Sequence, residues 1–353
     1  MSATSKDEIL GALKGIQDPY HARDIVSLGF VKEAALDSGR ARVRIELPTP
    51  AYPPRARFAE EARRAVAGLA GVTAVDVEVT GAVPTPPEVF GSALPGVKHV
   101  IAVASGKGGV GKSTVAVNLA VALAQCGPSV GLLDADIYGP SIPIMLGERR
   151  QPKASPTGKI LPLERHGLRM MSIGFIATGD TPVIWRGPLI SRMLQQFLNQ
   201  VEWGPLDYLV IDLPPGTGDA QLTIAQSAFL SGAVIVTTPQ DVALEDVYRA
   251  VRMFGEVRVP IIGIVENMSG FVCPHCGAGT AIFRSGGGES ASERVGAPLL
   301  GKVPLDPEIC EGGDAGLPIV VAHPDSQQAA AFREIAGEVA ARLSVLSWQE
   351  EGT

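Results

Sequence analysis

The chain contains only four cysteines among its 353 residues. So few thiols cannot form a disulfide framework, and their scarcity is typical of a protein from a reducing compartment. No run of lysine or arginine occurs at either end, and the formal net charge is -7 at pH 7. This composition argues against a nucleic-acid-binding protein, because binding to a polyanion requires clustered positive charge.

Long apolar stretches are also missing. No segment reaches the roughly 18 uninterrupted apolar residues that a membrane-spanning helix needs. The first residues, MSATSKDEIL, lack the basic segment followed by an apolar one that marks a secretory signal. We therefore expect a cytoplasmic protein with no membrane or nucleic-acid partner. The length predicts two domains, or one large domain with an appendage, and ample apolar material for a buried core.

Residues 1–81 are predicted to form a small α+β domain. Apolar and polar residues alternate in RARVRIEL (40–47) and VTAVDVEV (72–79), which predicts two half-buried strands. The segment between them has apolar residues at helical spacing and predicts an amphipathic helix. Residues 82–96 are rich in proline and glycine, so they are predicted to form a linker.

Residues 97–353 show a different pattern, in which short apolar runs are separated by glycine-rich turns and helical stretches. Runs that are apolar on both faces predict strands covered by helices on each side. We therefore expect an α/β domain with a doubly wound, mostly parallel sheet. On such a sheet, ligands bind at the carboxyl ends of the strands.

A phosphate-loop pattern, GKGGVGKS, extends from Gly106 to Ser113 between an apolar run and a helical stretch. The glycines let backbone N–H groups turn toward phosphates, Lys112 supplies a charge near the β and γ oxygens, and the Ser113 hydroxyl can ligate Mg²⁺. A glycine-rich turn with a chance lysine is disfavoured, because two acidic motifs follow in order. We predict a site for ATP and Mg²⁺ whose loop residues are Gly106, Lys107, Gly108, Gly109, Val110, Gly111, Lys112, Ser113 and Thr114.

Further polar residues follow predicted strands. In LLDADIYGPS, Asp136 would orient a water for attack on the γ-phosphate, and Asp134 would support Mg²⁺ or a lysine; a turn or a helix cap is the alternative for such a pair. Asp212 ends the run YLVID, as the metal-side carboxylate does in phosphate-loop NTPases, and Gly216 can offer its N–H to the γ-phosphate. Asn267 is predicted either to contact the edge of a purine base through its side-chain amide or to be a turn residue.

The segment Cys273-Pro-His-Cys276 aims two thiolates at one point, and three interpretations compete. A thiol oxidoreductase would place such a pair at the start of a helix, whereas glycines follow here. A zinc ribbon needs a second pair, and neither Cys126 nor Cys310 has a neighbouring cysteine. A symmetric dimer would bring together four thiolates, which suit either Zn²⁺ or a [4Fe–4S] cluster. The spacing does not distinguish the two.

Together these motifs resemble the Mrp/ApbC branch of the deviant Walker A ATPases, the iron–sulfur cluster carrier proteins. The resemblance covers about residues 97–353 and rests on KGGVGKS, DADIYGPSIPIMLG, WRGP, DLPPGTGD, TTPQDVAL and VENMSGFVCPHCG. It implies an ATP-hydrolysing homodimer that holds a labile [4Fe–4S] cluster between the Cys273 and Cys276 thiolates of its subunits. Cluster scaffold proteins and apoproteins would be its other partners.

The same resemblance implies a role for the early lysine of the loop. In that superfamily this lysine reaches across the homodimer to the nucleotide of the partner, so Lys107 would supply the charge that an arginine finger supplies elsewhere. Lys107, Lys112 and Asp136 are therefore the predicted catalytic residues.

The N-terminal domain is similar to the small iron–sulfur assembly domain of the SufT type, through VSLGFV and LPTPAYPP. That family frequently has a cysteine between the alanine and the proline of the second motif, where this chain has Tyr52. We therefore predict a docking or scaffolding role for this domain.

Two other functions compete with the carrier hypothesis. One is a positioning ATPase of the ParA/MinD type, which binds DNA or a membrane; the cysteine pair and the acidic, non-amphipathic tail argue against it. The other is a zinc-stabilised regulatory ATPase, which iron and sulfide analysis would separate from a carrier.

Overall fold

The structure, a computed structural model, describes residues 5–85, 94–176, 187–273 and 275–350. The chain divides into two compact units, one formed by residues 1–85 with 340–353 and the other by residues 86–339. Most of the predicted linker lies outside the described residues, and so do Trp185 and Arg186 of the WRGP motif.

The first unit is a small α+β structure around a three-stranded sheet. Strands β3 and β4 are antiparallel, whereas β4 and β5 are parallel because α2 crosses over between them. The alternation predicted for 40–47 is confirmed, since Val43 and Ile45 are buried while Arg42 and Arg44 are exposed. The elements are α1 (Lys6–Leu13), β1 (Gln17–Asp18), β2 (Arg23–Asp24), β3 (Val31–Asp37), β4 (Arg40–Leu47), α2 (Arg55–Ala67) and β5 (Ala74–Gly81).

The second unit contains the remaining strands and most of the helices that the structure describes. A 3₁₀ turn, Ile173–Phe175, follows β9, and the last helix begins in this unit and ends in the first. The elements are β6 (Val97–Ala104), α3 (Lys112–Gln125), β7 (Val130–Asp134), α4 (Ile142–Met145), β8 (Leu163–Arg165), β9 (Leu168–Ser172), α5 (Gly187–Gln200), β10 (Leu206–Asp212), α6 (Asp219–Ser227), β11 (Gly232–Thr237), α7 (Asp241–Glu256), β12 (Ile261–Val272), β13 (Gly279–Thr280), α8 (Gly287–Val295), β14 (Leu299–Leu305), α9 (Pro307–Ala315), α10 (Ile319–Ala322) and α11 (Gln327–Glu350).

These nine strands form one sheet, in the order β14, β12, β11, β6, β10, β7, β9, β8, with β13 paired to the far end of β12. Neighbouring strands are parallel except for the pairs of β8 with β9 and of β12 with β13. Nearly every residue of β6, β7, β10 and β11 is buried, so both faces of the sheet are covered. The predicted doubly wound α/β sheet is confirmed.

The parallel arrangement decides where a site can form. Because β6, β7, β10 and β11 point the same way, the loops that follow them meet at one edge of the sheet. The predicted phosphate loop follows β6, and the predicted acidic residues end or follow β7 and β10. None of the described helices is long and apolar enough to cross a membrane.

Candidate functional site

A glycine-rich loop joins β6 to α3. Gly109 and Gly111 have φ angles of +81° and +78°, which glycine adopts without strain. Gly106 packs against α7, where an added Cβ would overlap the carbonyl oxygen of Asp246, so no side chain fits there. This loop leads directly into the amino end of a 14-residue helix, where free N–H groups and the helix dipole favour an anion.

Lys112, the first residue of α3, lies at the centre of the site and is only 6% exposed. Its Nζ is 2.5 Å from Oδ1 of Asp212 at the end of β10 and 3.9 Å from Oδ2 of Asp136. The Ser113 hydroxyl donates to the other oxygen of Asp212 at 2.5 Å. The structure therefore brings together four predicted site residues from three separate segments of the chain.

Two opposing effects act on the pKa of the Asp212 carboxyl, namely its burial and the groups that donate hydrogen bonds to it. Complete burial raises the pKa of its carboxyl, while the Lys112 ammonium and the Ser113 hydroxyl oppose this effect. An ammonium has three donors, so Lys112 can hold Asp212 and a phosphate oxygen together. The adjacent oxygens of Asp212 and Ser113 are hard donors of the kind that Mg²⁺ takes, and these residues fit that ion.

Asp134 is fully buried at the end of β7. Its carboxylate accepts the Ser172 hydroxyl at 2.9 Å, and it also accepts the backbone N–H groups of Asp136 at 3.2 Å and Ile142 at 3.3 Å. These bonds shape the turn that carries Asp136. Burial and the nearby charge of Asp212 raise the pKa of Asp134 to about 8, although the Ser172 hydrogen bond lowers it.

This raised pKa predicts a pH-dependent stability. A carboxyl whose pKa is higher in the folded chain binds its proton more tightly there, so folding weakens as pH rises from about 4 to about 8. In the nucleotide-free protein, the stability of the wild type relative to Asp134→Asn should fall by up to about 1.4 kcal/mol per pH unit across pH 5 to 8. Urea denaturation at several pH values measures this difference.

Asp207 offers a matched control at the start of β10. Burial raises the pKa of its carboxyl, but the hydrogen bonds from Lys98 and Ser129 outweigh this and leave the pKa lowered. The Asp207 carboxylate therefore makes its full contribution to the free energy of unfolding at every pH above about 4. The stability difference between wild type and Asp207→Asn should stay constant from pH 5 to 8, and an equally flat result for Asp134→Asn would contradict the prediction.

Lys107 does not belong to the group formed by Lys112, Ser113, Asp136 and Asp212. Its side chain is half-exposed and forms no ion pair within the described parts of the chain. The backbone is held in place, because its carbonyl accepts the Ser105 hydroxyl at 2.9 Å. The backbone of the early lysine is therefore held on the loop, while its side chain is partly exposed to solvent.

Gly216 and Asn267 both contact the loop region in this structure. The Gly216 N–H donates to the carbonyl of Ser105 at 3.0 Å, and the Asn267 amide donates to the carbonyl of Val110 at 2.9 Å. Their predicted contacts with a γ-phosphate and a purine stay predictions: the Gly216 N–H is used within the protein here, whereas the Asn267 amide keeps a second N–H. The sequence pattern carried no signal for either internal bond, since each joins segments far apart in the chain.

Cys273 and Cys276 lie in the turn between β12 and β13, which we call the cysteine hairpin (residues 271–280). The turn is closed by the N–H of Cys273 on the carbonyl of Ala278 at 3.0 Å and by the N–H of Gly277 on the carbonyl of Cys273 at 2.9 Å. Backbone N–H groups of Cys276 and His275 lower the pKa of the Cys273 thiol. They favour the thiolate, which is the form that binds metals.

The hairpin thiols are accessible, since Cys276 is exposed and Cys273 is half-buried. Cys126 follows the end of α3 and Cys310 lies in α9, so neither belongs to the hairpin. Within the described part of the chain, no group of three or more histidine, cysteine, aspartate or glutamate side chains is arranged to hold a metal ion. One chain thus contributes a single pair of thiols from this turn.

Known protein families and curated proteins match most of this chain. A family model described as NUBPL iron-transfer P-loop NTPase matches residues 96–340, and one described as an iron–sulfur cluster assembly protein matches residues 6–79. The iron-sulfur cluster carrier protein of a Synechocystis strain is 49% identical over 345 residues, which cover 96% of this chain and 98% of that protein.

Solved structures share the fold. A nucleotide-binding protein from Archaeoglobus fulgidus, in complex with ADP, is 39% identical with a TM-score of 0.60, over 70% of this chain and 98% of that one. The cell division ATPase MinD of Pyrococcus furiosus is 24% identical with a TM-score of 0.53, over 68% of this chain and 98% of that one. The MinD likeness concerns the fold alone.

Proposed function

This chain belongs to the family of iron-transfer P-loop NTPases, as its motifs predict, and from this premise we propose that it hydrolyses ATP and carries a labile [4Fe–4S] cluster. The cluster is cargo, held between the two subunits of a homodimer and passed to apoproteins after its receipt from scaffold proteins.

The observation that carries this proposal is the cysteine hairpin. Each chain presents two accessible thiols in one turn, and backbone N–H groups favour the thiolate form of Cys273. A [4Fe–4S] cluster takes four thiolates, and a two-fold dimer is the smallest closed assembly that doubles one pair. Exposed sulfurs at such an interface would release a cluster more readily than buried ones.

The nucleotide site supports ATP hydrolysis. Lys112 would hold the β- and γ-phosphates, and Ser113 with Asp212 would hold Mg²⁺, which supplies positive charge against the phosphate oxygens. Asp136, 3.9 Å from the Lys112 ammonium, would orient the attacking water at the γ-phosphate. Lys107 of the partner subunit would neutralise charge that develops in the transition state.

The metal content of the protein tests this function. After purification without oxygen, we expect about four iron atoms and four sulfides per dimer, and transfer of the cluster to an apoprotein that requires one. Iron, sulfide and zinc analysis on a size-separated dimer measures this. Stoichiometric zinc without sulfide would instead support a zinc-stabilised regulatory ATPase, and a monomer with a complete cluster would contradict the shared site.

A further inference from the structure

Strand β12 connects the nucleotide-binding loop to the cysteine hairpin. Asn267 lies within this strand and donates its amide to the Val110 carbonyl of the loop at 2.9 Å. Six residues later the chain reaches Cys273. Six residues of extended chain span at most about 20 Å, so one short segment joins the two sites.

The strand is irregular between these two points. Its register with β14 shifts between Asn267 and Phe271, so residues 268–270 lie opposite Pro304 alone. A proline has no N–H and cannot donate to the neighbouring strand. Such a bulge interrupts the ladder and bends the strand locally.

Two residues of the bulge have left-handed backbone conformations. Met268 has a φ angle of +57° and Gly270 one of +78°. A methionine rarely adopts this conformation, and it persists only where the surroundings hold it. Here the methionine reaches the loop, since a Cβ added to Gly111 would lie 3.8 Å from Cε of Met268. The bulge is therefore a strained segment in contact with the nucleotide-binding loop.

The chain is anchored on the amino side of the bulge, where the buried Glu266 carboxylate accepts the N–H of Gly288 in α8. The same carboxylate also accepts the hydroxyl of Ser269 within the bulge. Beyond the bulge, Phe271 pairs with Leu305 of β14, and among the described residues β13 pairs with β12 at two positions, while Val272 is 55% exposed. A change at Met268 or Gly270 would therefore re-orient the hairpin and leave the body of the sheet in place.

We propose that residues 268–270 form a hinge through which the nucleotide-binding loop sets the orientation of the cysteine hairpin. The hinge rests on the proposed function, since it requires a nucleotide at the loop. A nucleotide that shifts the loop near Val110 and Gly111 changes which hinge conformation is favoured, by way of Asn267 and Met268. Such coupling is reciprocal, so the hinge conformation also alters nucleotide affinity.

Alkylation of the hairpin thiols tests the hinge in the full-length, cluster-free protein. Rates for Cys273 and Cys276 with iodoacetamide are measured by peptide mass analysis without nucleotide, with Mg·ADP and with Mg·ATP, alongside a direct titration of nucleotide binding. In the wild type we expect a nucleotide-dependent change of about fivefold or more in both rates.

Two hinge variants test the coupling in different ways. Gly270→Ala disfavours the left-handed conformation without a clash, as its nearest neighbour is the Thr280 carbonyl oxygen at 3.9 Å. Because this variant biases the hinge toward one conformation, the change in its alkylation rates on nucleotide binding should shrink, and its nucleotide affinity should differ from that of the wild type by about fivefold. Met268→Gly removes both the backbone strain and the methionine contact with the loop, so its alkylation rates should no longer respond to nucleotide.

Gly279→Ala is the matched control, because it makes the same substitution in the neighbouring strand β13, with no atom of the described residues within 4 Å of the added Cβ and no left-handed φ. It should behave as the wild type. The hinge would be overturned if the alkylation rates of the two thiols did not change when nucleotide binds. It would also be overturned if Gly270→Ala had the same alkylation rates and nucleotide affinity as Gly279→Ala. Either result would leave the carrier function intact. A chain that binds no nucleotide would overturn both.

Discussion

Alanine at both Cys273 and Cys276 is expected to abolish stable [4Fe–4S] binding. The double variant leaves a dimer with no thiolate in the hairpin, and either single variant leaves two, whereas the cluster takes four. We therefore expect each single variant to lose its cluster as well. Iron and sulfide per dimer, with the broad visible absorbance near about 400 nm after anaerobic reconstitution, measure the loss.

The other two cysteines provide controls for this loss. Cys310 is exposed in α9 and Cys126 follows the end of α3, so alanine at either position removes a thiol outside the hairpin. Both variants should keep a full cluster, and all of these variants should still bind Mg·ATP, because the predicted nucleotide site is formed by separate loops. Full cluster occupancy in the Cys273→Ala/Cys276→Ala variant would refute the carrier function.

Lys107→Ala is expected to reduce ATP hydrolysis by about a thousandfold and to weaken Mg·ATP binding far less. A finger-type cation acts on charge that develops in the transition state, so its loss lowers the catalytic rate more than the affinity. Lys112, in contrast, contacts Asp212 of the same chain at 2.5 Å and lies in the predicted phosphate loop, so we expect its loss to weaken binding. Single-turnover hydrolysis and equilibrium titration separate the two effects.

Mixing two inactive variants tests whether Lys107 acts across the dimer. When Lys107→Ala is mixed with Asp136→Ala and subunits exchange freely, half of the dimers are mixed, and each has one intact site. About one quarter of wild-type activity should therefore return. Each variant incubated alone controls for slow activation. If activity stays absent although exchange is demonstrated by differently tagged subunits, Lys107 acts within its own subunit.

Much of the fold could be predicted because the relevant patterns are local. The alternation of Val43 and Ile45 with arginines identifies a half-buried strand wherever that segment packs. The runs that became β7, β10 and β11 are apolar on both faces, and only a covered sheet accommodates such strands. The end of α11 could not be assigned in this way, because the apolar residues of a helix do not specify which core they join; residues 340–353 belong to the first unit.

The sequence by itself determined the glycine-rich loop and the cysteine pair, because each is a run of neighbouring residues whose spacing already imposes the local geometry. Only the tertiary structure decided which partner each buried polar group takes. Lys112 pairs with Asp212, 100 residues away, and the Asn267 amide binds the Val110 carbonyl, 157 residues away. A buried polar group must find a partner wherever the fold brings one near, and no local pattern records which segment that will be.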